Sequence, residues 1–475
     1  MAWRDALAPA RMERIAVVSP VSRVRSVLVA VAAEGTVEPE RLDNTPPGPA
    51  GLALQRIQRG SRGNALRPVV GAEPTDVESL VARGDLSGLA GEAELEQVRS
   101  SMVEEGAVAA LAGWSPAGAV DELAARLAPL GASIVRLRPP RGVQPPTSLP
   151  GHGATGAFQP LVNTYGTVPY ADVNPSFMAG LAYVVMFGMM FGDAGQGLLL
   201  LGFGIAVSRA RSGRPAWFGR FRWATPFLIG AALASIAFGF AYGEAFGPTG
   251  LVPTLWLRPL DNATRLLAVA IGAGAALLAC SFVLGSVNRF RESGPVPSMV
   301  ALSGLAGGGL YFGLALVGAG WYEHTSTLAL VGGVLALAAL TLGFFGLFAE
   351  AGRHAGGALQ AGIELFDSVI RLGTNTVSFA RLAAFGLTHA ALGALVWEGT
   401  VNLWRVGGVP AVVAAIVLFV GGNAVTFALE ALVAGVQALR LEYYEIFSRV
   451  FTGEGREFHP WQLAVRSSSS MKEAL

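Results

Sequence analysis

Two ionisable residues stand where the chain is otherwise apolar. Arg381 lies in TNTVSFARLAAFGLTHAAL (Thr374–Leu392), and Glu430 lies in GGNAVTFALEALVAGVQALRLEYYE (Gly421–Glu445). Both stretches read as helices of bilayer length, and an ionised group at that depth is costly unless it is paired or hydrated. A guanidinium does not deprotonate near neutral pH, so Arg381 cannot relay protons itself. It can hold a passing carboxylate in its ionised form and block proton leakage, and that carboxylate need not belong to this chain. Helical spacing puts Thr374, Ser378, Arg381, Phe385 and Thr388 on one face, and Asn423, Thr426, Glu430, Gln437 and Tyr444 on another. From Asn423 to Gln437 the second ladder covers about 21 Å, which suits a hydrated path better than one structural hydrogen bond. His389 lies two turns beyond Arg381 and roughly 80° off its face, still able to flank the same cavity. Arg440 falls near the end of the last helix, where its side chain can snorkel. The structural alternatives are an Arg381–Glu430 salt bridge, a satisfied core histidine at His389, and helix-to-helix glue for Ser378, Thr388, Asn423 and Thr426.

Helices that can hold such groups are abundant. Of 475 residues, 52% are hydrophobic and only 14% charged, too little charge to cover a soluble protein of this size. Long charge-free runs begin after Pro175. Trp223–Gly243, Leu266–Asn288, Ser293–Tyr322, Thr325–Ala349 and Val406–Leu429 each suffice to cross a bilayer. Pro175–Ser208 would be about 50 Å long as one helix, more than a hydrocarbon core needs. Its middle, FGDAGQG (Phe191–Gly197), carries three glycines and Asp193, so it reads as a tight break between two short spans. Leu372–Trp404 is a further span despite Arg381 and Glu398. The expectation is a polytopic α-helical membrane protein with about eight transmembrane helices, near 175–191, 194–208, 223–244, 265–288, 296–321, 325–349, 371–404 and 408–448, the last two long and tilted.

Arginine placement supports eight. With the N-terminal region cytoplasmic, the loop Arg209–Arg222, Arg289, Arg291, Arg353 and the C-terminal tail all face the cytoplasm. The opposite side keeps Arg258, Arg265 and Arg405. A seven-span chain would place the arginine-rich loop outside.

The region before Pro169 reads as an α/β cytoplasmic domain, over 1–150, joined to a membrane domain over 151–475. RIAVVSP (Arg14–Pro20) is a strand followed by a helix through Ala33, Gly106–Pro116 a second strand, Ala119–Gly131 an amphipathic helix, and Ala132–Pro140 a third strand. Thr75–Glu105 suggests a short helical arm, and Pro139–Pro150 a proline-rich linker. The charged N-terminus does not read as a signal peptide. No phosphate-binding glycine loop, HExxH or GxSxG occurs, and a lone Cys280 excludes thiolate metal clusters, so no cofactor or metal is expected. A net charge of +1 gives no reason to expect nucleic acid as a partner.

Several stretches resemble the a subunit (subunit I in prokaryotes) of rotary V-type and A-type ATPases. They are YGTVPYADVNPSF followed by MFGMMFGDAGQG (Met186–Gly197), YGEAFG (Tyr242–Gly247), SFARLAAFGLTHAAL (Ser378–Leu392) and LEALVAGVQALRLEYYEIFSRVFTGEGREFHPW (Leu429–Trp461), in family order. GWSP and the βαβ-like stretch after it look like the family's N-terminal domain. The resemblance implies a stationary, non-catalytic membrane subunit, with ATP chemistry on other subunits. Its two long tilted helices would face a rotating proteolipid c/K ring and form two offset half-channels that pass protons or Na+ to and from a ring carboxylate. Arg381 matches the family's essential arginine between them, Glu430, His389 and Arg440 match channel-lining or supporting positions, and Asp193 and Glu244 match supporting acids. Implied partners are the ring, peripheral-stalk subunits of the E/G type bound by the N-terminal stator domain, a central-stalk d/C-type subunit, and the bilayer. The family's N-terminal domain usually carries a long antiparallel coiled coil, whereas the stretch before Pro169 leaves room for a short arm. Near absence of lysine (Lys472 alone) beside abundant Ala, Gly and Arg suggests a GC-rich bacterial genome, hence a bacterial plasma membrane.

Two other readings compete. A secondary transporter would use Arg381 to bind an anionic substrate at mid-membrane. A degenerate subunit would serve assembly only.

Overall fold

The structure is a computed structural model and describes residues 8–41, 46–58, 66–71, 73–149, 153–209, 222–302, 304–351, 354–451 and 453–466. The charged N-terminus, most of the loop Arg209–Arg222, Arg353, Pro150 at the end of the linker and Lys472 lie outside them. The chain divides into two units, one of Pro9–Leu149 with Gly455–Leu475, the other centred on Pro150–Glu454.

The first unit is a sheet covered by helices. Its elements are β1 (Met12–Pro20), α1 (Val24–Glu34), β2 (Glu38–Pro39), α2 (Pro49–Gln58), β3 (Val69–Gly71), α3 (Val77–Ala82), α4 (Leu86–Ser100), β4 (Val103–Glu105), β5 (Val108–Pro116), α5 (Ala117–Leu127) and β6 (Ser133–Leu137). Strand order is β2-β5-β1-β6, with β4 also on β5. Both β5 and β6 run antiparallel to β1, so β5–α5–β6 is a split crossover with β1 between its strands. Alternation along β1 sends Ile15 and Val17 into a core with Val27, Leu28 and Val31 of α1 and Val120, Leu123 and Leu127 of α5. The stretch read as a helical arm instead packs inward: Leu95 and Val98 of α4 belong to the same core. Arg14 donates to Glu40 at 2.8 and 2.7 Å and holds that carboxyl below the usual carboxylate range.

Residues 455–466 complete this unit. Trp461 and Leu463 are buried in the core, and their amides donate to Val37 O at 2.8 Å and Ala32 O at 3.1 Å. β7 (Ala464–Arg466) pairs parallel with β3, and Arg466 bonds Asp85 at 2.8 Å.

The second unit is a helical bundle. Its helices are α6 (Gly153–Tyr165), α7 (Ser176–Met190), α8 (Ala194–Ser208), α9 (Thr225–Tyr242), α10 (Ala263–Ser293), α11 (Pro295–Val300), α12 (Leu305–Tyr322), α13 (Ser326–Glu350), α14 (Ala355–Ser378), α15 (Ala380–Val406) and α16 (Val409–Leu441), followed by a π-helical turn, Glu442–Phe447. Among the described residues, six helical stretches are long and apolar enough to cross a membrane, and α7 and α8 are shorter apolar helices.

Two boundaries depart from the sequence reading. The span expected over 371–404 is not one helix: α14 ends at Ser378 and α15 starts at Ala380. Phe379 sits between them, fully buried, and a Cβ on Gly274 of α10 would lie 2.0 Å from its ring. A glycine on α10 therefore makes the socket that fixes the break. The span expected over 408–448 leaves α-helical geometry at Glu442, where the wider π turn changes which side chains face inward.

The loop before α7 is anchored by side chains. Asn288 accepts from Val173 N at 3.0 Å and donates to Val450 O at 2.9 Å. Buried Asp172 beside it has its carboxyl pushed up to about 7, first by burial and then by the charge of Glu292.

Candidate functional site

Glycines bring α7 and the loop after α9 against α15. At the junction Phe191–Asp193 the chain leaves α7 and enters α8, and Ser235 of α9 braces it by donating to Phe191 O at 2.5 Å. A Cβ on Gly386 of α15 would lie 3.0 Å from Met189 O, and one on Gly247 only 2.6 Å from Gly393 O. Gly247 also has φ +88°, so both space and backbone conformation call for glycine there. Small residues at these crossings let backbones approach closely. The result is that the α7–α8 junction and the Tyr242–Gly247 loop both reach His389.

Asp193 is the N-cap of α8. Its Oδ1 accepts from Gln196 N at 2.8 Å and Phe246 N at 2.9 Å, and its Oδ2 from Gly247 N at 2.9 Å. The carboxylate thus ties the start of α8 to the loop that carries Glu244. Glu244 is itself buried, with Oε2 lacking a hydrogen-bond partner. His389 is 4% exposed, and its Nδ1 makes a hydrogen bond with Glu430 Oε2. Phe191 covers the imidazole with ring centroids 5.0 Å apart. Asp193, Glu244 and His389 offer ligand-type atoms within 4.8 Å of one another, a spacing a cation could occupy. Asp193 already accepts from three amides and His389 Nδ1 is taken by Glu430, which leaves a Glu244 oxygen and His389 Nε2 without a hydrogen bond among the described residues. Asp193, Glu244 and Glu430 thus surround a single imidazole.

Gln196 extends this cluster. Its Nε2 reaches Asn423 Oδ1 at 3.4 Å and Thr426 Oγ1 at 3.5 Å, joining α8 to α16. Asn423, Thr426 and Glu430 are all buried, while Gln437 is half-buried with Oε1 unpartnered. The ladder ends there. Tyr444 points outward at 71% exposed, and Glu442 and Glu445 of the π turn are buried instead.

Arg381 belongs to a second cluster. Its side chain is 27% exposed, its Nε donates to Ser378 O at 3.0 Å, and its Nη2 lies 3.5 Å from Glu445 Oε1. The salt bridge to Glu430 weighed from the sequence does not form: Glu430 pairs with His389, and Arg381 with Glu445. The helix break at Phe379 interrupts the face drawn through Thr374, Ser378, Arg381 and Thr388, yet Thr374, Ser378 and Arg381 still border one cavity. On α15 the buried face runs through Leu382, Ala383, Gly386, His389 and Gly393, and Thr388 is exposed with its hydroxyl on Ala384 O at 2.9 Å. Arg440 is exposed. An open cavity of about 530 Å³ borders Arg381, lined by Thr374, Val377, Ser378 and Ala380.

Glu445, Glu442 and Gln196 were missed as site residues by helical counting. Glu445 had a signal, as an acid beside a face already marked polar, but choosing it over Tyr444 requires the π turn. Gln196 had none beyond its place in FGDAGQG.

Comparison with known proteins supplies the family. The model of the V-type ATPase 116 kDa subunit family matches residues 101–247 and 359–463. The A-type ATP synthase subunit I of Aeropyrum pernix is 29% identical over 348 residues, 64% of this chain and 49% of the relative. That of Archaeoglobus fulgidus is 28% identical over 411 residues, 74% of this chain and 58% of the relative. The human V-type proton ATPase 116 kDa subunit a 3 is 36% identical over 135 residues, 26% of this chain and 16% of the relative. The chain spans about half the length of the curated relatives it matches. With more than half of its residues matched, including the α7–α8 junction and the helices that carry Arg381, His389 and Glu430, the chain belongs to the V-type ATPase 116 kDa subunit family.

Proposed function

We propose that this chain is the stationary membrane subunit of a rotary V/A-type ATPase, with two offset half-channels separated by Arg381. The observation that carries the reading is the presence of two unlike polar clusters on the same helix pair. One is closed and titratable, formed by His389, Glu430, Glu244 and Asp193, with Gln196, Asn423 and Thr426 beyond it. The other is partly open and holds the permanent charge of Arg381 beside Glu445. Arg381 and His389 are eight positions apart on α15, about 12 Å along the helix. An ion leaving one cluster for the other must therefore transfer to another carrier, and a carboxylate on a rotating proteolipid ring meets that need.

In this mechanism the His389–Glu430 pair exchanges a proton with the aqueous path on one side. Arg381 forces the arriving ring carboxylate to ionise, releasing its ion, and blocks direct leakage between the paths. The ion is a proton or Na+. Eight helices cross the plasma membrane of a bacterium, α7 and α8 as short spans, with α14–α15 and α16 as the long last two. The first unit is cytoplasmic and acts as stator, bound to peripheral-stalk subunits of the E/G type, with a central-stalk d/C-type subunit nearby. The subunit performs no ATP chemistry itself.

Arg381→Ala is expected to bring ATP-driven ion pumping in reconstituted vesicles to background while the complex still assembles. Preserved pumping would remove Arg381 from the mechanism. Substrate uptake by the purified subunit alone would favour a secondary transporter instead.

A further inference from the structure

A separate cationic cavity lies in the bundle beyond the two clusters. It measures about 200 Å³ and is lined by Phe282 of α10, Leu310 of α12, Ser368 and Arg371 of α14, and Ser448 and Arg449 just after the π turn. The Arg449 guanidinium stacks 4.7 Å above the Phe282 ring centroid, and its Nε is buried without a hydrogen-bond partner. Among the described residues no carboxylate comes within ion-pair distance of Arg449. Glu445, the acid that influences it most, is already paired with Arg381. Arg371 bonds Asp367 through Nε at 2.7 Å, which leaves its two terminal nitrogens available. The Ser368 and Ser448 hydroxyls each donate to a carbonyl of their own helix at 2.8 Å and can rotate to donate to a ligand.

This combination describes a ligand. Two guanidinium forks and two hydroxyls match an oxyanion with several acceptor oxygens, and a phosphoryl group is the usual partner of such forks. Phe282, Leu310 and Leu372 give the rest of the cavity an apolar wall that a free phosphate would not need. The cavity is near the end of α10 that carries Arg289 and Arg291, which the proposed orientation places toward the cytoplasm. Anionic phospholipids of a cytoplasmic leaflet recognise basic pockets between membrane helices at this depth.

We propose that Arg371 and Arg449 bind the phosphoryl headgroup of an anionic phospholipid, with the start of its acyl chains along Phe282, Leu310 and Leu372. The proposal rests on the membrane orientation given above, not on ion transport.

The test uses the full chain in nanodiscs of phosphatidylcholine doped with phosphatidylglycerol, followed by native mass spectrometry of retained lipid. Wild type is expected to retain phosphatidylglycerol selectively. Arg449→Gln is expected to weaken retention about fivefold, and Arg371→Gln by a similar or smaller factor. Arg449→Lys restores part of it, and Arg405→Gln, an exposed arginine outside the cavity, changes nothing. Arg371 is exposed, so its variant carries the test if Arg449→Gln does not fold. Equal retention by wild type and both glutamine variants overturns the proposal, as does equal retention of phosphatidylcholine. Displacement of the lipid by excess inorganic phosphate identifies a soluble anion and overturns the lipid assignment. Retention is measured without ATP or an ion gradient, so its loss leaves the pumping proposal standing, and loss of pumping leaves this one standing.

Discussion

Two ion pairs on the same helices differ in every property that matters for moving an ion. Arg381–Glu445 joins groups 3.5 Å apart, and the arginine side chain is 27% exposed beside an open cavity. His389–Glu430 is buried on both sides, 5% and 9% exposed, and is joined by a hydrogen bond. The first contains a charge that cannot be discharged, so it is suited to acting on other groups. The second joins an imidazole and a carboxylate, the proton-exchanging half of the proposed mechanism. Burial makes that pair sensitive to the loss of either member, because the survivor is left without a partner.

The contrast can be broken at several points. The largest effect belongs to Arg381→Ala, which should abolish pumping, whereas Glu445→Gln should lower it only a few-fold. Proton uptake followed with a pH-sensitive dye decides the matter, and equal losses would make the pair a structural bridge and erase the difference. Next is Glu430→Gln, for which a drop of about a hundredfold in pumping is expected, the usual scale for losing a positioned proton-transfer group. Adding His389→Gln to it should cost under about twofold more, because the pair acts as a unit. Independent, multiplying effects would separate the two residues. Smaller still is Asp193→Ala, which removes a cap and should destabilise the bundle by about 1–2 kcal/mol, read as a lower denaturation midpoint. A change in pumping at full stability would instead draw Asp193 into the transport step.

A surface pair supplies the baseline. Arg466 bonds Asp85 in the first unit, with side chains 42% and 20% exposed, and the bond to Arg466 lowers the Asp85 carboxyl from its ordinary 3.8. A depressed carboxyl stabilises the fold above its unfolded value, and that contribution is lost as pH falls through the folded value. Arg466→Ala should therefore cost about 0.2–1 kcal/mol at neutral pH, and wild type and variant should converge in acid, below the lowered Asp85 value. Thermal midpoints across pH test this, and a gap that persists in acid would mean the arginine acts through packing.

Several features of the site were legible residue by residue. An arginine and a glutamate inside long apolar runs announce themselves, because a charge in hydrocarbon must have a use. The three glycines of FGDAGQG mark where the chain turns, and α7 and α8 meet there. The break at Phe379 carries no such mark. NTVSFARL contains neither glycine nor proline, and the socket for Phe379 is supplied by Gly274, more than a hundred residues earlier. Tyr444 and Glu445 are adjacent in sequence, and only the π turn decides that the acid faces inward. Nothing in GREFHPWQL (Gly455–Leu463) indicates that it packs into a core built from the first 140 residues, yet Trp461 is 4% exposed there.

The sequence by itself determined that this is a membrane protein, which helices carry charge, and that Arg381, His389 and Glu430 merit attention. Those properties follow from local composition and helical spacing, which are sums over neighbours along the chain. Only the tertiary structure decided who pairs with whom: His389 with Glu430, Arg381 with Glu445, Asp193 with the amides of Gln196, Phe246 and Gly247. Ion pairs and hydrogen bonds act over a few ångströms, so their partners depend on which helices touch. In this bundle that contact is set in part by glycines, such as Gly247 and Gly386, that let the backbones carrying these groups approach.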